Sequence, residues 1–509
     1  MIIKTDIRKG AYFDSVTLMR VGKQLSSLDG VADAAIVMGT EANKGILKSS
    51  GLLTAALAKA ADADLLIAVK ARDAKAADAA MKTVTELLKK SSAPAEGSAA
   101  EARPTSLDGA VQVVPGANMA VISVAGRYAG ALAMQCLRKG LHVMLFSDNV
   151  PIEQEIVLKK FAKKQGLLVM GPDCGTAIIN GVPLAFANVV RRGGIGVVAA
   201  AGTGLQEVTT LISNAGGGIS QAIGTGGRDV KKDVDGIIFV EAMKALADDA
   251  DTKVILLVSK PPDKKVLAAI NRCARGIRKP VVSFLIGAPA KGGPATLEEA
   301  ALMAVELERG GRAENAFRQL ADRDRDLRIT ARREALTRGR KQKYIRGLFS
   351  GGTFCAEAQI LLGDMLTGLH SNAPTGKAAK LKNSLKSVQH SFVDLGEDEF
   401  TVGRPHPMID FSLRNKRILE ETADAETAVI LLDVVLGYGS NMDPAGELAP
   451  VIRKAARTTS VVCSVTGTDA DPQNRGAVAK ALADAGAIVT PSNAAACRLA
   501  GEIVKGLER

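Results

Sequence analysis

Two periodicities alternate along the chain. Near its start, short apolar runs (AAIVMG, DLLIAVKA) alternate with stretches whose apolar residues recur every three or four positions, SVTLMRVGKQLSSL and AADAAMKTVTELLKK. Such runs predict strands and amphipathic helices. Residues 1–90 therefore read as a small α/β domain, with a ferredoxin-like arrangement as one option. The tract SSAPAEGSAAEARPTS, 91–106, is rich in Ala, Ser, Pro and Glu and predicts an exposed linker.

From residue 107 the pattern changes. MAVISVAG, LHVMLFSD and LLVMG are nearly uninterrupted apolar runs separated by the helical stretches RYAGALAMQCLRKG and EQEIVLKKFAKKQG. Continuous apolar strands alternating with helices predict a parallel sheet covered on both faces, here over residues 107–190. The pattern restarts at 191 with IGVVAAAG, GISQAIGTGG, GIIFVEA, KVILLVSK and KPVVSFLIG, giving a second doubly wound domain over 191–310. A basic helical connector, 311–344, leads to a further α/β domain, 345–509 (YIRGLFSGG, TAVILLDVVLG, TSVVCSVTG, GAIVTPS). The expected class is multidomain α/β, with ligand loops at the carboxyl edges of parallel sheets. No short-period repeat is read.

Length agrees, since 509 residues exceed what one core organises and suggest three or four domains. Aromatic residues make up 3 % of the chain and Trp is absent, which argues against a base-stacking platform. The net charge of +12 owes much to residues 318–347, where acidic residues interleave, so a solvated helix explains it better than a nucleic-acid face. Six scattered Cys without CxxC spacing and four His make a cysteine zinc site an unlikely expectation and leave reduced thiols as the default; no metal is assigned. The first residues carry a charge by Lys4 and no apolar run approaches a membrane span, so a cytoplasmic protein without membrane or nucleic-acid partners is expected.

Several turns could carry chemistry. VAGRYAG, 124–130, departs from the dinucleotide fingerprint, which argues against NAD binding. GPDCGTAIIN follows a strand and offers Gly171, Asp173, Cys174 and Thr176, with packing the favoured role for Cys174. AGTGLQEV places Gly202, Thr203 and Gly204 at a helix start, where backbone amides take an oxyanion without any side-chain charge. GTGGRD repeats the device with Gly224, Thr225, Gly226, Gly227 and Arg228. Ordinary turns are the competing reading; two such loops in one domain favour a phosphate or carboxylate site. In FVDLGEDEFTVGRPHPMIDFSLR, flanking prolines stiffen Arg404 and His406, and His406 is the candidate general acid or base. His142 reads as a packed strand residue, and Thr468, Asp469 and Arg475 could add anion contacts.

VISVAGRYAGALAM, LFSDNVPIEQEI, LLVMGPDCGTAIINGVPLAFANVVRRGGIGVV, AGTGLQEVTTLI and GGGISQAIGTGGRD resemble the FdrA family, itself distantly similar to succinyl-CoA synthetase. The resemblance implies a Rossmann-like CoA-binding-type domain over 107–190, and flavodoxin-like, synthetase-type ligase domains over 191–310 and 345–509. It further implies two helix starts facing a phosphate, one at Gly202–Gly204 and one near the turn at Gly396. The synthetase's phosphorylated histidine has no counterpart in GAPAKGGPATLEEA, 287–300, and no nucleotide-grasping domain is evident. The implied activity is that of an oxamate carbamoyltransferase subunit, working with two further subunits to convert oxalurate and phosphate to oxamate and carbamoyl phosphate during purine nitrogen catabolism. On this reading Gly202–Gly204 and Gly224–Gly227 take phosphate, Arg228 or Arg404 the substrate carboxylate, and His406 donates a proton. Phosphate is a co-substrate, no cofactor is assigned and a divalent metal is left open. CoA enters only under an alternative, an acyl-CoA synthetase or acyltransferase with a separate nucleotide-binding partner; a non-catalytic scaffold is the third reading.

Overall fold

The computed structural model describes residues 1–507 apart from 12, 14, 27, 93–103, 289–291, 340 and 402–404. Most of the expected linker, and Arg404, lie outside the described residues. Two compact units are present: Met1–Pro115 with Glu397–Asp410, and Gly116–Gly396 with Phe411–Arg509.

The first unit runs β1 (Ile2–Arg8), α1 (Ser15–Ser26), β2 (Val31–Met38), α2 (Glu41–Ser49), α3 (Ala55–Ala58), β3 (Leu65–Ala71), α4 (Ala74–Ser92) and α5 (Leu107–Val113). Its antiparallel sheet has the order β1-β3-β2. Alternation along β3 builds two layers: Leu65, Ile67 and Val69 pack with Leu18, Leu25, Val84 and Leu88, while Leu66 and Ala68 pack with Leu47, Leu52 and Leu57.

The second unit begins with β4 (Met119–Ile122), α6 (Gly126–Arg138), β5 (His142–Leu145), α7 (Ile152–Gln165) and β6 (Val169–Met170), whose strands form a three-stranded parallel sheet. A hairpin follows, β7 (Thr176–Ile179) and β8 (Val182–Ala185), then β9 (Arg192–Ala200), α8 (Gly202–Asn214), β10 (Ile219–Gly224), α9 (Ile237–Asp248), β11 (Val254–Ser259), α10 (Lys264–Gly276), β12 (Val281–Leu285) and α11 (Leu297–Glu308). The sheet order is β12-β11-β9-β10-β7-β8, parallel except for the hairpin. Because β7 pairs with β10, the hairpin belongs to this sheet, and an expected boundary at 190 would cut it off.

Next come α12 (Glu314–Leu336), β13 (Tyr344–Phe349), α13 (Gly352–Gly363), β14 (Leu369–Ser371), β15 (Ala379–Lys380), β16 (His390–Asp394), α14 (Asp398–Thr401), α15 (Ser412–Ala423), β17 (Thr427–Val435), α16 (Pro444–Ala455), β18 (Ser460–Thr466), α17 (Arg475–Asp484), β19 (Ala487–Thr490) and α18 (Asn493–Leu507). All seven strands are parallel, in the order β15-β14-β16-β13-β17-β18-β19. Every residue of β17 is buried, as a strand covered on both faces requires. The basic helix α12, expected as a solvated connector, is anchored on one side: Arg323 pairs with Glu298, Asp324 with Arg498, and Glu334 accepts from Ser460 Oγ at 2.8 Å. No helix among the described residues is long and apolar enough to cross a membrane.

Candidate functional site

The carboxyl ends of β9 and β13 each run straight into a helix. Ala201 leaves β9 in an extended conformation, and α8 begins without any side-chain cap. Its first amide with an acceptor is Leu205 N, bonded to Ala201 O at 2.9 Å. Gly351 leaves β13 in the same way; α13 is also uncapped, and Cys355 N bonds Gly351 O at 3.0 Å. Amides ahead of these positions point out of the helix with the positive end of its dipole, the arrangement that holds oxyanions.

The two starts face each other. A β-carbon built on Gly351 would lie 2.7 Å from Thr203 Oγ1, and one on Gly204 would lie 2.9 Å from Thr353 Cγ2. The Thr of each start approaches a glycine of the other, and the segments repeat: AGTGLQE, 201–207, matches GGTFCAE, 351–357, at Gly202/Gly352, Thr203/Thr353 and Glu207/Glu357. Sequence reading took FSGG as a strand end, so it missed Gly351, Gly352 and Thr353; the shared Gly-Thr-x-x-x-Glu pattern was the available signal. The resemblance placed the facing turn at Gly396, after β16, whereas the facing helix follows β13, the strand beside it. Gly396 instead donates its amide to Asp394 Oδ1 at 2.9 Å. Asp394 Oδ2 would lie 2.5 Å from a β-carbon on Gly352, and Lys260 Nζ 3.1 Å from it.

Behind these starts, two buried glutamates share one partner. Glu207 accepts from Thr466 Oγ1 at 2.5 Å and from Asn493 N at 3.0 Å. Glu357 accepts from Leu297 N and from Asn493 Nδ2, both at 2.8 Å. Burial pushes each carboxyl up to about 7. Asp433 fixes the other approach to α13, accepting from Ser350 N at 2.7 Å and Ser350 Oγ at 2.6 Å. Buried Arg414 donates to Asp433 O at 2.7 Å, while its Nε and Nη2 meet no protein acceptor.

The turns 171–176 and 224–227 pack onto each other beside α8. A β-carbon on Gly226 would lie 2.5 Å from Pro172 O, and one on Gly224 2.7 Å from Cys174 Sγ, so neither position has room for a side chain. Thr225 Oγ1 contacts Ala199 O at 3.5 Å, and around Gly227 the space is open. Thr176 Oγ1 lies 4.0 Å from the β-carbon position of Gly202 and donates to Phe186 O at 2.7 Å. Cys174 is buried and its thiol is pushed up to about 12 by desolvation, which makes it a packing residue. Asp173 is exposed and anchored by its amide to Ser147 O at 3.0 Å.

Two of the expected site residues have partners within the protein itself. Arg228 is committed to the protein: Nε pairs with Glu155 at 2.8 Å and Nη2 donates to Val150 O at 2.8 Å. It completes a network around buried Lys159, which bonds Glu155 at 2.8 Å, Asp229 at 2.9 Å and Thr225 O at 3.0 Å. That network fixes the shape of the turn. His406 lies in the segment Glu397–Asp410 of the first unit. Its Nδ1 accepts from Met408 N at 3.2 Å, and burial pushes the imidazole down to about 4, so at neutral pH it holds no acidic proton on that nitrogen. Thr468, Asp469 and Arg475 are engaged within their own loop and on Val189 O, Gly476 N and Val465 O.

The CoA-ligase family profile matches residues 348–503, a CoA binding domain profile residues 191–287, and the profile described as AllF, heavy metal-associated domain, residues 1–104. The CoA binding match thus falls on the sheet containing β9, where a ligase-type domain was expected. Residues 1–104, the segment that matches the last profile, contain neither Cys nor His. Succinate--CoA ligase [ADP-forming] subunit alpha 2 of Archaeoglobus fulgidus is 27 % identical over 35 % of this chain and 61 % of its own length, less than two thirds of that relative. The dinucleotide-forming acetyl-coenzyme A synthetase 1 of Ca. Korarchaeum cryptofilum covers 77 % of this chain and 83 % of its own at 14 % identity and a TM-score of 0.29, too distant to bear on the site. The uncharacterized protein YahF of Escherichia coli K12 is 41 % identical over 100 % of both chains. The chain belongs to the YahF family, and joins an AllF-related N-terminal domain to a succinyl-CoA-synthetase-like CoA-binding and CoA-ligase core.

Proposed function

We propose that the chain is a subunit of a phosphate-dependent carbamoyltransferase that converts oxalurate and phosphate to oxamate and carbamoyl phosphate. The observation that carries this reading is the pair of uncapped helix starts, α8 and α13, held face to face. Two uncapped helix starts packed side by side suit a free, multiply charged oxyanion. The chain has no histidine between 143 and 369, so neither start has a phosphorylatable histidine close by in sequence. A free phosphate attacking a carbonyl uses the same cradle without a covalent carrier, and the fixed amides stabilise the charge gathered in the transition state. The FdrA-like motifs support the ureido substrate.

The CoA binding match and the succinate–CoA ligase relatives favour a second reading, an acyl-CoA ligase subunit with a separate nucleotide-binding partner. Both readings expect partner subunits. The full chain assembled with its partners, given oxalurate and phosphate, should release carbamoyl phosphate. CoA-dependent thioester formation, trapped with hydroxylamine, in the absence of that product would replace the first reading with the second.

A further inference from the structure

We propose that Lys260 is a catalytic residue of the phosphate site: its ammonium contacts the anion held between the two helix starts and relays a proton to the departing nitrogen. The proton step rests on the carbamoyl-transfer reading, whereas the anion contact does not. Lys260 follows β11 at the same carboxyl edge that starts α8. Its Nζ reaches across to α13, 3.1 Å from where a β-carbon on Gly352 would stand. Among the described residues its ammonium makes no side-chain hydrogen bond or ion pair, and the charge it feels from a neighbour is that of Lys231. Asp394 flanks the same point with Oδ2, and a side chain at 352 would fill the gap between the two charges.

Positive charge therefore gathers around the two helix starts. The α8 and α13 starts contribute dipole ends, Lys260 a full charge, and the neighbouring Lys231 ammonium is disfavoured by burial and then by Lys260. Asp394 is the acidic side chain placed beside Lys260, and its Oδ1 is occupied by Gly396 N. A bound dianion would offset this excess.

The chemistry balances without an outside acid. Phosphate enters as its hydrogen dianion, and one oxygen forms the bond to the ureido carbonyl carbon. The bond from that carbon to the oxamate nitrogen breaks, and its electron pair stays on nitrogen. Nitrogen takes a proton from Lys260, and Lys260 recovers one from the phosphate.

The test titrates the full chain, wild type, K260Q and K260R, with inorganic phosphate by calorimetry, and measures turnover in the assembled complex. K260Q should weaken phosphate binding by about 10- to 100-fold, the scale of a lost charge-assisted hydrogen bond. Its kcat should fall by about 10²- to 10⁴-fold, the scale of general acid–base catalysis. K260R should recover most of the affinity but not kcat, because a guanidinium does not release its proton at neutral pH. Phosphate affinity within twofold of wild type in K260Q, or a wild-type chain that binds no phosphate, overturns the contact; full turnover in K260R overturns the relay. Phosphate binding that depends on Lys260 in a complex that makes no carbamoyl phosphate keeps the contact and removes only the carbamoyl-transfer reading.

Discussion

The two halves that meet at the site are built alike and charged differently. Each sends a strand into an uncapped Gly-Thr-x-x-x-Glu helix, and each buries the glutamate of that motif against Asn493. The α8 half brings Lys260 to the cleft and fixes its second glycine turn with the buried Lys159 network. The α13 half brings Asp394 and fixes its own helix start with Asp433 and Arg414. A near-symmetric backbone can position one oxyanion equally from both sides. Only the unequal side chains give the two sides different tasks, one cationic and one anionic.

The largest effects should come from breaking either scaffold. Lys159→Met leaves Asp229 buried without its cation and Glu155 with Arg228 alone, and Asp433→Ala leaves Arg414 without its carboxylate. Each is predicted to cost about 3–5 kcal/mol in urea denaturation, the usual range for removing one partner of a buried pair. A loss below about 1 kcal/mol would mean that water already compensates these charges.

Gly351→Ala tests the face-to-face contact itself, since its β-carbon would meet Thr203 and Phe354 at 2.7 Å. We expect about 1–3 kcal/mol of destabilisation from overpacking. Phosphate affinity should fall by about 10²-fold, as misplacement of a positioning group by an ångström commonly does. Gly204→Ala meets Thr353 Cγ2 at 2.9 Å and should do the same more weakly; unchanged phosphate binding in both would separate the two helix starts functionally.

A smaller effect is expected from pH. Glu207 and Glu357 keep protons up to about 7 in the folded chain, against 4.5 when unfolded. The folded state therefore binds more protons in that window, and this contribution to stability is full below pH 4.5 and is lost as pH rises to about 7. His390 and His406 act in the opposite direction, because their folded values near 4 lie below the ordinary 6.5 and stability falls as pH drops between them. The double variant E207Q/E357Q should flatten only the loss on raising pH, seen as urea midpoints at pH 5, 6, 7 and 8, where Asn493 Oδ1, without a partner now, can accept from an introduced amide. Midpoints that shift in parallel at every pH would rule out protonated carboxyls.

The smallest change is expected for Arg228→Ala. Its side chain is 41 % exposed, so losing the Glu155 contact should cost about 1 kcal/mol or less. Activity should stay near wild type, because the guanidinium is turned onto the protein; a rise in KM for the carboxylate substrate would restore Arg228 as a ligand.

How far the sequence could be read follows from the range of each interaction. Apolar runs such as IGVVAAAG and TAVILLDVVLG announce buried parallel strands because a strand covered on both faces has no polar side to show. The glycine turns at 202–204 and 224–227 were legible for a local reason, since a chain entering a helix from a strand in tight quarters needs them. Gly351–Thr353 carried the same signal but sat inside a run read as a strand end. Gly396 was misplaced by one strand because neighbouring parallel strands end at the same edge.

By itself, then, the sequence determined the strands, the helices and the glycine turns that leave amides free, because those depend on residues close along the chain. Only the tertiary structure decided which two helix starts meet, that Arg228 is spent on Glu155, that His406 titrates near 4, and that Lys260 stands over Gly352. These are matters of burial and of charges brought together from distant segments, and neither periodicity nor residue type encodes them locally.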